Sequence, residues 1–315
     1  MTPRNNLVQL TLKYTYFRRI IQVNRHFWPL EMVIIHAAPE LREFLKKERL
    51  SRGSVGFVPT MGALHQGHAS LMRRARRESQ VVILSIFVNP KQFNEKADFA
   101  NYPVTTEADL ELARQEGVDV VFVPKVSDVY EESFEPESSN YGDLTTAFEG
   151  AKRPGHFDGV VSVVRRLFEI VQPDLAFFGE KDLQQLAVIR HLGKLEFPST
   201  QVIGCPLIRD HDGLALSSRN VRIPKDDRQH ALKLNACLQD VAKCAQASLD
   251  FQGAIDRNRD LLNEDEHIEL EYFAAVDGGT FQAVDGEERP REMFAIIAAV
   301  VGGVRLIDNC RLRCS

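Results

Sequence analysis

The stretch that most constrains the fold is residues 81–88, VVILSIFV, a near-continuous β-branched and aromatic run. A strand apolar on both sides needs a covering layer on each face, as in a parallel sheet flanked by helices. Runs of the same kind occur at 55–58, 118–123 and 175–178. A further strand at 202–208 contains Gly204 and Pro206, which suggests an edge or the passage out of the sheet. Between these runs, helical spacing recurs at 37–44, 69–78, 107–116 and 159–171. Strands alternating with helices predict an α/β domain.

The polar chemistry gathers where strands end. Residues 55–68 read VGFVPTMGALHQGH: Pro59 stops the strand, Gly62 and Gly67 make a tight loop, and a helical pattern with Leu71, Met72 and Ala75 starts at Ala69. His65 and His68 share a face if the first helical turn includes them, beside unpaired backbone N–H groups. They either hold phosphate, including charge developing on phosphorus, or form a polar cap. No Asp, Glu or Cys lies among them to complete a metal site locally. Beyond the carboxyl end of 81–88, Asn89 and Gln92 are placed to hydrogen-bond a ligand, unless Asn89 merely caps the turn before Pro90. After 175–178, GEKDLQQL repeats the strand–glycine–helix geometry, with Lys181, Asp182 and Gln185 on the helix. A lysine suits a polyphosphate; Asp182 could accept from a ribose hydroxyl, cap the helix or help hold Mg²⁺. In DHDGLALSSRN, Ser217, Ser218, Arg219 and Asn220 unite two hydroxyls with a guanidinium, either for a triphosphate or as a helix cap with a surface arginine.

Between 125 and 155 the chain turns polar, with Glu131, Glu132, Glu135 and Glu137, and reads as a lid or wall over a site. It ends in EGAKRPGHFDGV, which sets Glu149, Arg153 and His156 beside three glycines. Past Pro224 the pattern changes to helices at 229–248 and 251–262 and a small antiparallel sheet from 270–276, 281–284 and 292–301. The expected organisation is an atypical extension over 1–31, a first domain over 32–198 and a movable cover over 199–315. The extension is basic and aromatic (Arg4, Lys13, Arg18, Arg19, Arg25, Trp28), and Met32 reads as the ordinary start. A formal charge of −5 gives no general pull on nucleic acid or anionic membrane, and Arg73, Arg74, Arg76 and Arg77 read as a solvated helix face. The longest apolar run, 294–301, is too short to span a bilayer. Five scattered cysteines without a C-x-x-C pair fit reduced thiols in the cytosol, with Cys310 and Cys314 in a weakly packed tail.

HQGH resembles the HxGH signature of adenylyl-transferring nucleotidyltransferases, and PTMGALHQGH, SIFVNPKQF, FGEKDLQQL and GLALSSRN together resemble the pantoate–β-alanine ligases, in the same order along the chain. The likeness runs from about Met32 to about Asn309; the extension, His211 and the cysteine-bearing tail depart from it. It implies a Rossmann-like parallel sheet with helices on both faces and a smaller α+β C-terminal domain. The implied reaction condenses pantoate with β-alanine through a pantoyl-adenylate, with ATP as co-substrate and Mg²⁺ carried on it. The protein would be a cytoplasmic homodimer. The likeness also implies that Met61, Gly62, Ala63, Leu64, His65, Gln66, Gly67 and His68 meet the nucleotide. So would Gly179, Glu180, Lys181, Asp182, Ile208, Leu216, Ser217, Ser218 and Arg219. Pro59, Thr60, Met61, Asn89, Gln92 and Gln185 would meet pantoate, and Gln92 also β-alanine. His65, His68, Lys181 and Arg219 would carry the chemistry, with His68 as proton donor. A carboxylate nucleophile needs no base, which favours electrostatic stabilisation by His68 instead.

Overall fold

The computed structural model describes residues 32–313 except 52, 95–98, 132 and 286–288, and the described residues from Val33 onward belong to one compact unit. The expectations placed on residues 1–31, Glu132 and Cys314 lie outside the described residues.

The apolar runs become a parallel sheet of β1 (Val33–Ile35), β2 (Val55–Thr60), β3 (Val81–Ile86), β4 (Val120–Phe122), β5 (Leu175–Gly179) and β6 (Gln201–Cys205). Their spatial order is β1-β4-β3-β2-β5-β6. Side chains alternate across it. Val55, Phe57, Val81, Ile83 and Phe122 join one core with α1 (Ala38–Ser51), α4 (His156–Val171) and α5 (Leu183–Glu196). The other face is covered by α2 (Gln66–Glu78), which in turn meets α3 (Thr106–Gln115). Phe57 meets Phe168 of α4 edge to face at 6.4 Å, and both are fully buried. Truncating either should cost about 3–5 kcal/mol.

From β2 the chain proceeds toward β3, and from β5 toward β6 on the opposite side. The helices that follow β2 and β5 therefore lie on opposite faces, and a crevice opens between the carboxyl ends of these neighbouring strands. The two strand–glycine–helix motifs border that crevice.

The chain ends in an antiparallel sheet of β7 (Ile268–Asp277), β8 (Met293–Val301) and β9 (Val304–Leu312). Two helices, α6 (Arg228–Gln246) and α7 (Phe251–Asn263), cover one face through Leu234, Leu238 and Val241 against Ala295 and Ile297. On the other face, Val276, Phe294 and Ile296 join the core of the first sheet.

Two sequence expectations are corrected, and a third segment holds more local structure than its pattern suggests. Residues 281–284 form no strand, only a bridge from Ala283 to Val276; the missing strand is β9, VRLIDNCRL. Cys310 thus sits within that strand, its thiol donating to the Leu238 carbonyl at 3.2 Å, rather than in a loose tail. The polar 125–155 segment contains helical turns at Val126–Val129, Asp143–Thr146 and Glu149–Lys152, and buries Val129, Tyr130 and Leu144.

Candidate active site

Helix α2 starts at Gln66, three residues before the apolar pattern suggests, because the histidines themselves begin it. His65 is its N-cap. The His65 Nδ1 accepts from the Gly67 N–H at 3.1 Å, and the His68 Nδ1 accepts from the His65 N–H at 3.2 Å. This is a reciprocal capping box built from two imidazoles instead of the usual hydroxyl and carboxylate. The rings lie 4.1 Å apart. Burial, then the charge of Lys181, holds His65 down to about 4; burial, then His65 and Lys181, holds His68 down to about 3. Both rings are therefore neutral near pH 7. With Nδ1 accepting, each keeps its proton on Nε2 as a hydrogen-bond donor.

The loop before them is closed on itself. The Gly62 N–H donates to Thr60 Oγ1 at 3.3 Å, and Ala63 and Leu64 donate to the two carboxylate oxygens of Asp109 at 2.9 and 2.8 Å. Gly62 needs its φ of +82°, and a Cβ there would come within 3.1 Å of Asp109 Oδ2. These backbone donors are used inside the protein, so this stretch offers a ligand imidazole N–H groups rather than a nest of amides.

Across the crevice, Lys181 follows β5 on a turn of 3₁₀ helix, with its ammonium 3.7 Å from Asp182. The carbonyls of Glu180 and Lys181 accept from the Asn309 amide of β9 at 2.8 and 3.1 Å. Beside it, Asp308 takes a bidentate pair from Arg209 at 2.6 and 2.9 Å. Arg209 pairs with Ala215 across a loop that returns through the Leu216 N–H to the Ile208 carbonyl, at 3.0 Å. That loop delivers Ser217, which caps the turn Ser218–Arg222 by accepting from the Arg219 N–H at 3.3 Å. The Arg219 guanidinium lies over the Tyr102 ring at 5.7 Å, and the Tyr102 hydroxyl is 3.4 Å from Ser218 Oγ.

These pieces enclose a cavity of about 210 Å³ lined by His65, His68, Lys181, Gln185, Ser217 and Arg219 among others. Pro59, Thr60, Met61, Gly67, Asn89, Gln92, Gly179, Asp182, Ile208, Leu216 and Ser218 also reach it. Gly62, Ala63, Leu64, Gln66 and Glu180 do not line it. Asn89 is buried and engaged: its amide donates to the Gly159 carbonyl at 3.0 Å and to Gln92 Oε1 at 3.1 Å, and its oxygen accepts from Tyr130 and Lys91. Gly159 is required, since a Cβ there would fall 2.2 Å from the Lys91 carbonyl oxygen.

A smaller cavity of about 100 Å³ adjoins the first, and the two share Met61, Gln92, Lys181, Asp182, Gln185 and Arg219 as a common wall. Its far side is Arg153 and His156. His156 donates from Nδ1 to the Gln92 carbonyl at 2.9 Å and accepts from Arg153 on Nε2 at 3.1 Å. Burial first, then Arg153, lowers its pKa to about 4. Behind lies buried Glu149, which accepts two hydrogen bonds from Arg305 at 2.6 and 2.8 Å and one from the Tyr272 hydroxyl at 2.6 Å. Burial pushes this carboxyl up, but Arg305 and Tyr272 outweigh it, and the pKa ends below its usual value. A bulge between Leu270 and Tyr272 aims the acid and the phenol at this point, because Glu271 also pairs with Arg305. Among the described residues no group of three His, Cys, Asp or Glu could hold a metal ion.

Sequence reasoning missed Asp109, Tyr102, Arg305 and Asn309. Tyr102 and Asp109 carried no motif signal, and the others act across a hundred or more residues.

Residues 33–311 match the family described as pantoate-beta-alanine ligase. A pantothenate synthetase of Bacteroides fragilis is 41% identical over 282 residues, spanning 90% of this chain and 99% of that protein. One of Acidothermus cellulolyticus is 47% identical over 265 residues, 83% and 86% of the two chains. The crystal structure of pantothenate synthetase from Thermus thermophilus superposes with a TM-score of 0.82 at 40% identity, covering 89% of this chain and 99% of that one. The pantoate-beta-alanine ligase of Francisella tularensis, solved with beta-gamma ATP and beta-alanine, gives 0.74 at 32% identity, over 90% and 99%.

Proposed function

The chain belongs to the pantoate–β-alanine ligase family, and from that premise we propose how its residues share the work of joining pantoate to β-alanine with ATP. A pantoate carboxylate oxygen attacks the α-phosphorus, the bond to the β-phosphate breaks, and pyrophosphate leaves behind a pantoyl-adenylate. The β-alanine amine then attacks the acyl carbon and sheds a proton as AMP departs and the amide forms. The observation that carries this reading is the pair of adjoining cavities with one shared wall. A reaction with a held intermediate and an incoming amine needs two seats that meet at the acyl carbon.

In this assignment the larger cavity takes pantoate and the nucleotide. Neutral His65 and His68 donate Nε2–H bonds to oxygens on the phosphorus as charge builds there. Their depressed pKa values support hydrogen-bond donation by His68 over proton donation. Lys181, Ser217, Ser218 and Arg219 take the departing phosphates, with Ile208 and Leu216 beside the nucleotide. Gln185 and Gln92 hold pantoate, with Asn89 orienting Gln92 through its own bond to it. The β-alanine carboxylate faces Arg153 in the smaller cavity, which leaves its amine toward Gln92 and Met61. Mg²⁺, when bound on the phosphates, supplies charge neutralisation; Asp182 is the carboxylate at hand for it. Residues 199–315 act as the cover that keeps water from the acyl-adenylate. The proposed assembly is a homodimer in the cytoplasm, on the strength of the family resemblance.

The test is pyrophosphate release with Mg-ATP, adding pantoate and β-alanine separately and then together. A burst near one pyrophosphate per site with pantoate alone, and sustained AMP only with both, is the expected result. No release with pantoate, from folded protein that binds ATP, would refute the assignment.

A further inference from the structure

We propose that Asp109 is a positioning residue for adenylyl transfer, holding the loop whose histidines face the phosphorus; this rests on the reading above. Asp109 lies on α3, outside the motifs, and is only 2% exposed. A carboxylate is costly to bury unless its oxygens are occupied, and here they are. Oδ2 accepts from the Ala63 N–H at 2.9 Å, and Oδ1 accepts from the Leu64 N–H at 2.8 Å and the Thr105 hydroxyl at 2.9 Å. The amides it holds belong to a turn of unusual conformation, with φ of +82° at Gly62 and +48° at Ala63. A non-glycine residue at positive φ persists only where its surroundings over-determine it. Asp109 is the surrounding that does so, because without it two adjacent amides in a half-buried turn lose their acceptor.

The turn leads straight into His65, whose φ of −140° sets the N-cap and so the direction of both imidazoles. Asp109 therefore touches no substrate; it fixes, from behind, the angle at which two N–H donors meet the phosphorus. Because Lys181 and Arg219 come from other parts of the chain, ground-state hold on the triphosphate should not depend on it.

The experiment measures single-turnover pantoyl-adenylate formation and ATP affinity for wild type, Asp109→Asn, His65→Ala and the double variant. Asn keeps the volume but presents an N–H₂ to one of the two amides. Adenylation should fall on the order of 10²-fold, the scale of an ångström-sized misplacement, with the ATP Kd within about twofold. Acting through both imidazoles, the substitution should cost several-fold less when His65 is already Ala than in wild type, the remainder being the misplacement of His68. Thr105→Val, which removes one bond to Asp109 and leaves the amides held, keeps the test alive if Asp109→Asn folds poorly; it should lower the same step about three- to tenfold and show the same non-additivity. Equal losses in the His65 and His65→Ala backgrounds, or unchanged adenylation in both Asp109→Asn and Thr105→Val, would overturn the proposal. Failure of wild type to form the adenylate would instead sink the functional reading beneath it.

Discussion

The two walls of the crevice are built on opposite principles. The β2–α2 wall presents neutral donors to the crevice: its amides are bound behind it by Thr60, Asp109 and the imidazoles themselves, and its histidines stay uncharged. The facing wall is charged and assembled from afar, with Lys181 held through Asn309 and Arg219 delivered by a loop braced on Asp308. Charge attracts a polyphosphate at long range and binds it in the ground state. Fixed neutral donors act mainly where new charge appears. The division separates binding from rate.

The largest test of this contrast is His68→Ala, which should slow adenylation by about 10²- to 10³-fold while ATP affinity, by titration calorimetry, moves less than about threefold. Parallel losses in both would erase the distinction. Next, Arg219→Ala should raise the KM for ATP by roughly 30-fold, the scale of a lost charge-assisted bond, with a smaller change in turnover. Asn309→Ala removes a bond to the Lys181 backbone and should raise that KM about fivefold, which steady-state kinetics would resolve. The smallest effect concerns pH. At saturating Mg-ATP, adenylation between pH 8 and 6 should change less than about twofold, since neither histidine titrates there. An inflection near 6.5 would mean that one of them works as a cation.

The same groups make stability depend on pH. Their folded pKa values are depressed, so the unfolded chain binds protons first as pH falls below 6.5. Stability present above that point should be lost toward pH 4 at about 1.4 kcal/mol per pH unit for each of His65, His68 and His156. Denaturant melts at stepped pH would show it.

Strands buried on both faces, β2, β3 and β5, were legible because their apolar runs admit no other environment. Strand β9 was not, since VRLIDNCRL alternates charged and apolar residues and so resembles a surface segment. Its half-buried Arg305 and buried Asp308 pair with Glu149 and Arg209, partners 156 and 99 residues away. Asp109 was hidden for a related reason: an acid in the first turn of an amphipathic helix reads as solvated or dipole-favourable. The histidine pair was legible as a site, but its chemistry was not. Spacing alone left a phosphate seat and a polar cap as alternatives, and the two histidines cap the helix with Nδ1 while lining the cavity.

That double use makes the start of α2 a selector of tautomers. Any ring that caps with Nδ1 must present N–H at Nε2, so a synthetic ligand meets two outward donors whose polarity stays fixed across the physiological pH range. An inhibitor gains there by presenting an oxygen that carries partial negative charge, as on the phosphorus in transit. A full anionic group that must bind from a distance is better aimed at the cations opposite.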